Sequence, residues 1–432
     1  MDEGCYLTRK PGTPIPVSSL LVGEKITIRA RIKPLGSSRI LLRDPTGERI
    51  VKLAGGKALE ILSLPCETLV EITGVVNGEE LTVDDYSILH KPLKPEVLCV
   101  DRIPEDPVEY TRKYHVYARH PDILRAVKTY SVVLKSSRSL LDKQGFTELP
   151  APIIGYASDP GLRGAIKATL PLYGGVYEIQ SSVIMYKQLY SSLLGKIYYV
   201  ARNLRIEPPE NAGTGRHLVE FTQLDVEASL STASEMMKLA EEVVYKIVKH
   251  ILDDYYELLT PKQASFLEKA VPKPPYPRVD YDSAVELLER KGCRVEHGRE
   301  LSFNAEALLG EIYGTPVWVH GFPASSRGFY YVEDPGKPGY NVDYNLIMPG
   351  RSGEILDGGC REYRYEKLVE KIKRHGEPLE KYKWFLDLAE AGGIQPSCGW
   401  GLGLERLVKF IQGLQHVAYA TPHPRIPGVI GP

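Results

Sequence analysis

The chain has 432 residues, 43% of them apolar and 25% charged, with a formal net charge of −1. That length is too great for one ordinary domain and supplies apolar material for a large core and a smaller satellite. So even a charge balance excludes any argument from bulk charge for nucleic acid or membrane as a partner.

Six cysteines, at 5, 66, 99, 293, 360 and 398, lie far apart without a CxxC pair. The spacing argues against a zinc site and against a disulfide framework, so reduced thiols are expected. The N-terminal stretch MDEGCYLTRKPG holds no apolar signal core, and no run long enough to span a bilayer occurs. The expectation is a soluble, cytoplasmic protein with no membrane partner.

Residues 17 to 90 carry the β-rich runs KITIRARI, RILLRD, RIVKLA and TLVEITGVV, separated by Gly, Pro, Asp and Asn. Such spacing predicts a small β-barrel or sandwich. Residues 25 to 57 have nine Lys/Arg against two Asp/Glu, and residues 58 to 90 have none against seven. A basic half favours phosphate contact, and a solvated surface with internal ion pairs explains the same pattern. The proline-studded HKPLKPEVLCVDRIPEDPVEY then reads as a linker, which places a first domain at 1–105 and a second at 106–432.

Beyond the linker, helix and strand signals alternate, predicting one mixed α+β unit. DILRAVKTYSVVLKSSRSLLDKQ has Ile123, Leu124, Val127, Leu134 and Leu141 near helical spacing before Gly145. Thr232 and Glu235 have capping-box spacing ahead of Met236, Leu239, Val243, Ile247 and Ile251. Between these helices lies LRIEPPENAGTGRHLVEFTQLDVEASL, a hairpin crowded with charge. Alternation sorts its second strand into Leu224, Val226, Ala228 and Leu230 on a core face against Phe221, Gln223, Asp225 and Glu227 on the other. Asn203, Arg205 and Glu207 share a parity on the incoming strand. The polar face is either a solvated one with cross-strand ion pairs or a ligand site, and the glycines of the loop allow a bulky anion to approach the backbone.

LRIE with RHLVEFTQLDVE resembles the second signature of class II aminoacyl-tRNA synthetases of the aspartate, asparagine and lysine group. GLGLERLV (401 to 408) resembles the third signature, and FTELPAPII, with Pro152, the end of the first. The three stand in the right order over nearly the whole chain. The resemblance implies an α+β fold, with an N-terminal OB-fold barrel and a catalytic domain whose antiparallel sheet is flanked by helices. It implies a ligase using ATP and Mg²⁺. Arg205 would hold the α-phosphate and the reacting carboxylate, Phe221 would stack on adenine, and Arg406 would clamp the far phosphates. Glu207 and His217 would complete the ATP site. Guanidinium groups suit adenylyl transfer because they offer paired donors to phosphate oxygens. Glu354 matches a magnesium-binding glutamate, and Asp357 stands where a serine is usual. Arg406 also reads as a surface arginine of an amphipathic helix, and the two acids as a loop acid and its neighbour.

QSSVIMYKQ (180 to 188) resembles a segment of the aspartate enzymes, and GGCRE places Arg361 at their arginine. With Gln180, Gln223 and Asp225, Lys187 and Arg361 would form a site for a second carboxylate, which favours aspartate over asparagine. Lys187 also reads as a snorkelling helix lysine. KWFLDLAEAGGIQPSCGWGLGLER is more similar to asparagine enzymes. The C-terminal GLERLVKFIQGLQHVAYATPHPRIPG resembles an archaeal asparagine synthetase of the same family, which makes asparagine through an aspartyl-adenylate. There His416, Val417 and Ala418 replace the usual Asn-Ile-Arg, while Arg425 is kept.

LLRDPTG (41 to 47) is similar to the anticodon-binding OB-fold, with Arg39 and Arg43 as its nucleic-acid contacts. The helix at 122 to 144 matches the element that forms the two-fold interface in this class, so a homodimer is expected. Three functions follow in order. The first is a ligase that activates aspartate or asparagine and charges tRNA of the Asp/Asn type. The second is a tRNA-independent asparagine synthetase acting with ammonia. The third is a non-catalytic OB-fold nucleic-acid-binding protein.

Overall fold

The computed structural model describes Val17 and residues 23–158 and 165–432. The N-terminal stretch and Cys5 lie outside them. The chain divides into two compact units, the first running to Ile103 with His115–His120 added, the second holding Pro104–Tyr114 and everything from Pro121 onward.

In the first unit, strands β1 (Lys25–Pro34), β2 (Arg39–Asp44), β3 (Gly47–Ala54), β4 (Thr68–Asn77) and β5 (Glu80–His90) close into a barrel in the order β1-β2-β3-β5-β4. Alternate residues such as Ile26, Ile28, Ile32, Ile40, Leu42, Val70 and Ile72 fill it, as a strand period of two requires. The segregation of charge along the sequence disappears in three dimensions. Lys25 pairs with Asp84 at 2.9 Å, Arg29 with Glu71 at 2.7 Å, Lys52 with Glu80 at 2.9 Å and Arg43 with Glu67 at 3.0 Å. The basic strands are laid against the acidic ones.

The second unit is built on an eight-stranded sheet, in the order β12-β13-β14-β15-β16-β11-β10-β6. Helix α1 (Pro121–Lys143) leads into β6 (Thr147–Glu148), and a separate three-stranded sheet holds β7 (Ile154–Gly155), β8 (Thr169–Leu172) and β9 (Gly175–Ile179). Helix α2 (Ile184–Leu194) precedes the hairpin of β10 (Lys196–Leu204) and β11 (Glu220–Ser229). Helix α3 (Ala233–Asp254) starts at Thr232, whose side chain and that of Glu235 form the expected reciprocal cap. It buries Met236, Ala240, Val243, Val244, Ile247 and Ile251 in the core that receives Leu224, Val226 and Ala228 of β11. The remaining elements are β12 (Arg278–Asp280), helix α4 (Phe303–Tyr313), β13 (Val317–His320), β14 (Asp343–Met348), β15 (Gly353–Cys360), β16 (Ser397–Gly403) and helix α5 (Leu404–Gln412). Among the described residues no helix is long and apolar enough to cross a membrane.

The expectation of reduced thiols is overturned. Cys66 is bonded to Cys99, and Cys360 to Cys398. Sequence spacing misled because Cys360 and Cys398 stand directly opposite each other on neighbouring strands β15 and β16, a juxtaposition that only the sheet creates. Closing loops of this length stabilises a fold by roughly 3–4 kcal/mol each through the unfolded chain. A reductant should therefore lower the unfolding midpoint, and non-reducing digests should hold the 360 and 398 peptides together. Identical midpoints with and without reductant would show the thiols to be free.

Candidate active site

Strand β11 puts its non-core parity, Phe221, Gln223 and Asp225, into a cavity of about 630 Å³. Every second residue of the neighbouring strand β16 is glycine on that same face. A Cβ at Gly399 would lie 2.0 Å from Glu227, and one at Gly401 would lie 3.0 Å from Gln223 and 3.1 Å from Asp225. The intervening Trp400 and Leu402 belong to the core. The CGWGLG run is thus a strand whose cavity face must carry no side chain, so that the acids of β11 can turn over it.

At one end of the cavity the cations and carboxylates form a chain. Lys187 Nζ lies 2.8 Å from Asp225 Oδ1 and 3.8 Å from Glu227, and Arg361 Nε donates to Glu227 at 3.1 Å. Burial opposes the charge on Arg361, yet Glu227 beside it raises its pKa above the ordinary value. Lys187 and Arg361 come together, each beside a carboxylate, Asp225 and Glu227 respectively. Gln223 accepts from Asn203 at 2.6 Å and also lines the cavity. Gln180 is buried outside the lining, its amide set between Gly155 N–H and Ser182 C=O at 2.9 Å each.

The other end gathers Arg205, Glu207, Arg216, His217, Glu354 and Arg406. Arg205 donates to Ser181 O and lies 5.1 Å from the centre of the Phe221 ring. Glu207 accepts from Asn211 at 3.0 Å, which ties down the turn of the hairpin loop. Arg406 donates to the carbonyl and carboxylate of Glu354 at 3.2 and 3.1 Å. Burial, then Arg216 beside it, pushes the Arg406 pKa down to about 10. His217 Nδ1 is 2.6 Å from Thr214 Oγ1. Burial, then Arg406 and Arg216, lowers the His217 pKa to about 3, so the ring is neutral at physiological pH.

Glu354 and Asp357 are three apart and would face opposite sides of a regular strand. A bulge at Leu346/Ile347 of the β14–β15 pairing restores them to one face, and both line the cavity. Sequence reasoning assigned no role to Arg216, Glu306 or Arg327. Arg216 bonds Glu306 at 2.7 Å and Glu354 at 3.4 Å, and Glu306 also accepts from Glu354 N–H at 3.0 Å. Arg327 bonds Asp357, Asp343 and Glu300. Burial raises the Asp343 pKa to about 7. Arg216 adjoins His217 in the quoted hairpin, a signal that was legible. Glu306 and Arg327 carry no local pattern, since α4 and the loop after β13 reach the cavity only through the tertiary fold.

With that geometry in place, residues 106–427 match the family of tRNA synthetases class II (D, K and N). The chain belongs to this family. It is a class II aminoacyl-tRNA ligase of the aspartate/asparagine type. It is 31% identical over 416 residues to an asparagine--tRNA ligase of Thermococcus gammatolerans, covering 91% of this chain and 92% of that one. Identity to the Thermococcus kodakarensis asparagine--tRNA ligase is 33% over 321 residues, covering 74% of this chain and 73% of that one. A crystal structure of asparaginyl-tRNA synthetase from Pyrococcus horikoshii complexed with asparaginyl-adenylate superposes with a TM-score of 0.85 at 27% identity, covering 97% of this chain and 100% of that one. The likeness spans both units, and the N-terminal barrel and the catalytic sheet are those the resemblance implied.

The magnesium ion implied by the family can be tested against the donor set. Among the described residues no three His, Cys, Asp or Glu side chains cluster to hold a metal. Glu354 and Asp357, both lining the cavity, are two oxygen donors that fit a hard cation taking its other ligands from phosphate oxygens and water.

In ligand-free protein the His217 imidazole should remain neutral as pH falls from 7 to about 4. A depressed histidine binds fewer protons folded than unfolded, so its contribution to stability falls as pH drops below the unfolded value. Nitrogen-resolved NMR of the histidines reads this directly, and protonation of His217 near its ordinary pKa of 6.5 would contradict the burial argument.

Proposed function

We propose that the chain activates asparagine with ATP and esterifies it to tRNA(Asn). What supports the choice of amino acid is that two cavity-lining residues each hold a buried atom without a hydrogen-bond partner, Arg361 Nη1 and Asp225 Oδ2. One is a donor and the other an acceptor. A carboxamide offers both complements, its oxygen to the guanidinium and its N–H to the carboxylate. A carboxylate offers acceptors alone, which leaves Asp225 unpaired and sets a second negative charge beside it. The curated relatives named above share this substrate in name.

In this reading Phe221 stacks on the adenine, and Arg205 receives the α-phosphate together with the attacking carboxylate of asparagine. That carboxylate oxygen bonds to the α-phosphorus, the bond to the leaving oxygen breaks, and pyrophosphate departs past Arg406 and His217. Glu354 and Asp357 would hold Mg²⁺, which supplies charge neutralisation for the phosphates. A ribose hydroxyl of the tRNA terminus then attacks the asparaginyl carbonyl and AMP leaves.

For tRNA we assign the anticodon contact to the first unit through Arg39, which is exposed. Arg43 is a poorer contact, because its guanidinium is held by Glu48 and Glu67 within the barrel. A homodimer paired through the region of α1 completes the proposal.

Pyrophosphate exchange is the test. Asparagine should support it, with aspartate poorer by roughly 10²-fold or more, and the charged product should be tRNA(Asn). Exchange with aspartate at equal rate, or asparagine made from aspartate and ammonia, would overturn the reading. Asp225→Asn should narrow the preference for asparagine, and Arg205→Ala should lower exchange by roughly 10²–10³-fold.

A further inference from the structure

His416 is 4% exposed and makes two hydrogen bonds in opposite directions. Its Nδ1 accepts from Ala418 N–H at 3.0 Å, which caps the short helical turn Val417–Ala420. That fixes the tautomer with the proton on Nε2. Nε2–H donates to Ala212 O at 2.8 Å, and Ala212 belongs to the loop of the β10–β11 hairpin. Two further contacts run beside this one. Val417 N–H donates to Gly215 O at 3.1 Å, and a Cβ at Gly215 would lie 2.8 Å from Gln415 O. The loop thus lies on the segment 415–417 with no space between them. Its other side carries Arg216 and His217 into the cavity.

We propose that His416 is a positioning residue for the nucleotide-binding loop: by holding Ala212 from outside the cavity it fixes the height at which Arg216 and His217 meet the triphosphate. The proposal rests on the reading that ATP occupies this end of the cavity. The two bonds of the ring are separable by substitution, because the amide of asparagine reproduces the position of Nδ1 and that of glutamine the position of Nε2. In His416→Asn the cap on Ala418 N–H survives and the reach to Ala212 is lost. In His416→Gln the donor to Ala212 O survives and the cap is lost.

The test measures pyrophosphate exchange with ATP and amino acid varied separately, together with hydrogen exchange of residues 209–217 in ligand-free protein. Measurable ATP-dependent exchange by the wild-type enzyme supports the underlying reading independently of any variant. The expected result is that His416→Asn raises the KM for ATP about three- to tenfold, the effect of one buried hydrogen bond. The KM for amino acid should stay as in the wild type, and loop amides should exchange faster. His416→Gln should restore both ATP KM and loop protection. Equal ATP KM and loop protection in wild type and His416→Asn would overturn the proposal, as would a loss in His416→Gln as large as in His416→Asn, which would assign the effect to the cap and to stability. Because hydrogen exchange is read without substrate, it decides the positioning role even if the site takes a different nucleotide.

Discussion

The constraint from which the rest of the catalytic unit follows is the cost of burying charge. Lys187, Arg216, Arg327, Arg361 and Arg406 all stand in or behind one cavity, and an isolated buried cation is far too costly to keep. Each is met by a carboxylate: Asp225, Glu306, Asp343, Glu227 and Glu354 respectively. Removing one partner from such a pair typically costs about 3–5 kcal/mol, because the other charge is left stranded. The acids are therefore not ornaments around the cations of the cavity. They allow those cations to stand in place with their donors already oriented.

That constraint in turn dictates the sheet. Acids must reach the cations from strands whose other face is occupied by core, and only an alternating period of two supplies both in one segment. Strand β11 supplies it with Leu224, Val226 and Ala228 inward and Phe221, Gln223 and Asp225 toward the cavity. Strand β16 answers with glycine at each cavity-facing position, and β15 needs a bulge to bring Glu354 and Asp357 to the same side. Bulges recur beside active sites because they re-aim a side chain without ending the strand. The electrostatic need and the backbone irregularity are one feature seen at two scales.

Much of this was legible in the sequence, and the reason is local. The parity of β11, the cap at Thr232 and the apolar stripe of α3 are set within a few residues, where periodicity applies. Arg205, Phe221, Arg406, Glu354 and Asp357 reached the same cavity because signatures preserve their register. What was not legible depends on strands meeting. The pairing of Cys360 with Cys398, the cancellation of the barrel's charge, and the satisfaction of Lys187 by Asp225 each join residues tens of positions apart. Counting charges along a chain cannot reveal that its two halves lie face to face. Glu306 and Arg327 escaped for the same reason.

The C-terminal segment shows how far this dependence on tertiary contact extends. The hairpin loop is glycine- and proline-rich, so local structure alone would leave it little reason to hold one conformation. It is instead fastened along its length by residues near the end of the chain. Val219 N–H donates to Arg425 O at 2.7 Å, Gly215 O accepts from Val417 N–H, and His416 reaches Ala212 O. A Cβ at Gly428 would lie 2.9 Å from Pro209, so the tail also packs against the start of the loop. The segment that presents Arg216 and His217 to the cavity thus takes its shape from a tail that lines little of the cavity itself. Sequence changes in this segment can therefore act on that end of the cavity without altering any group that faces it.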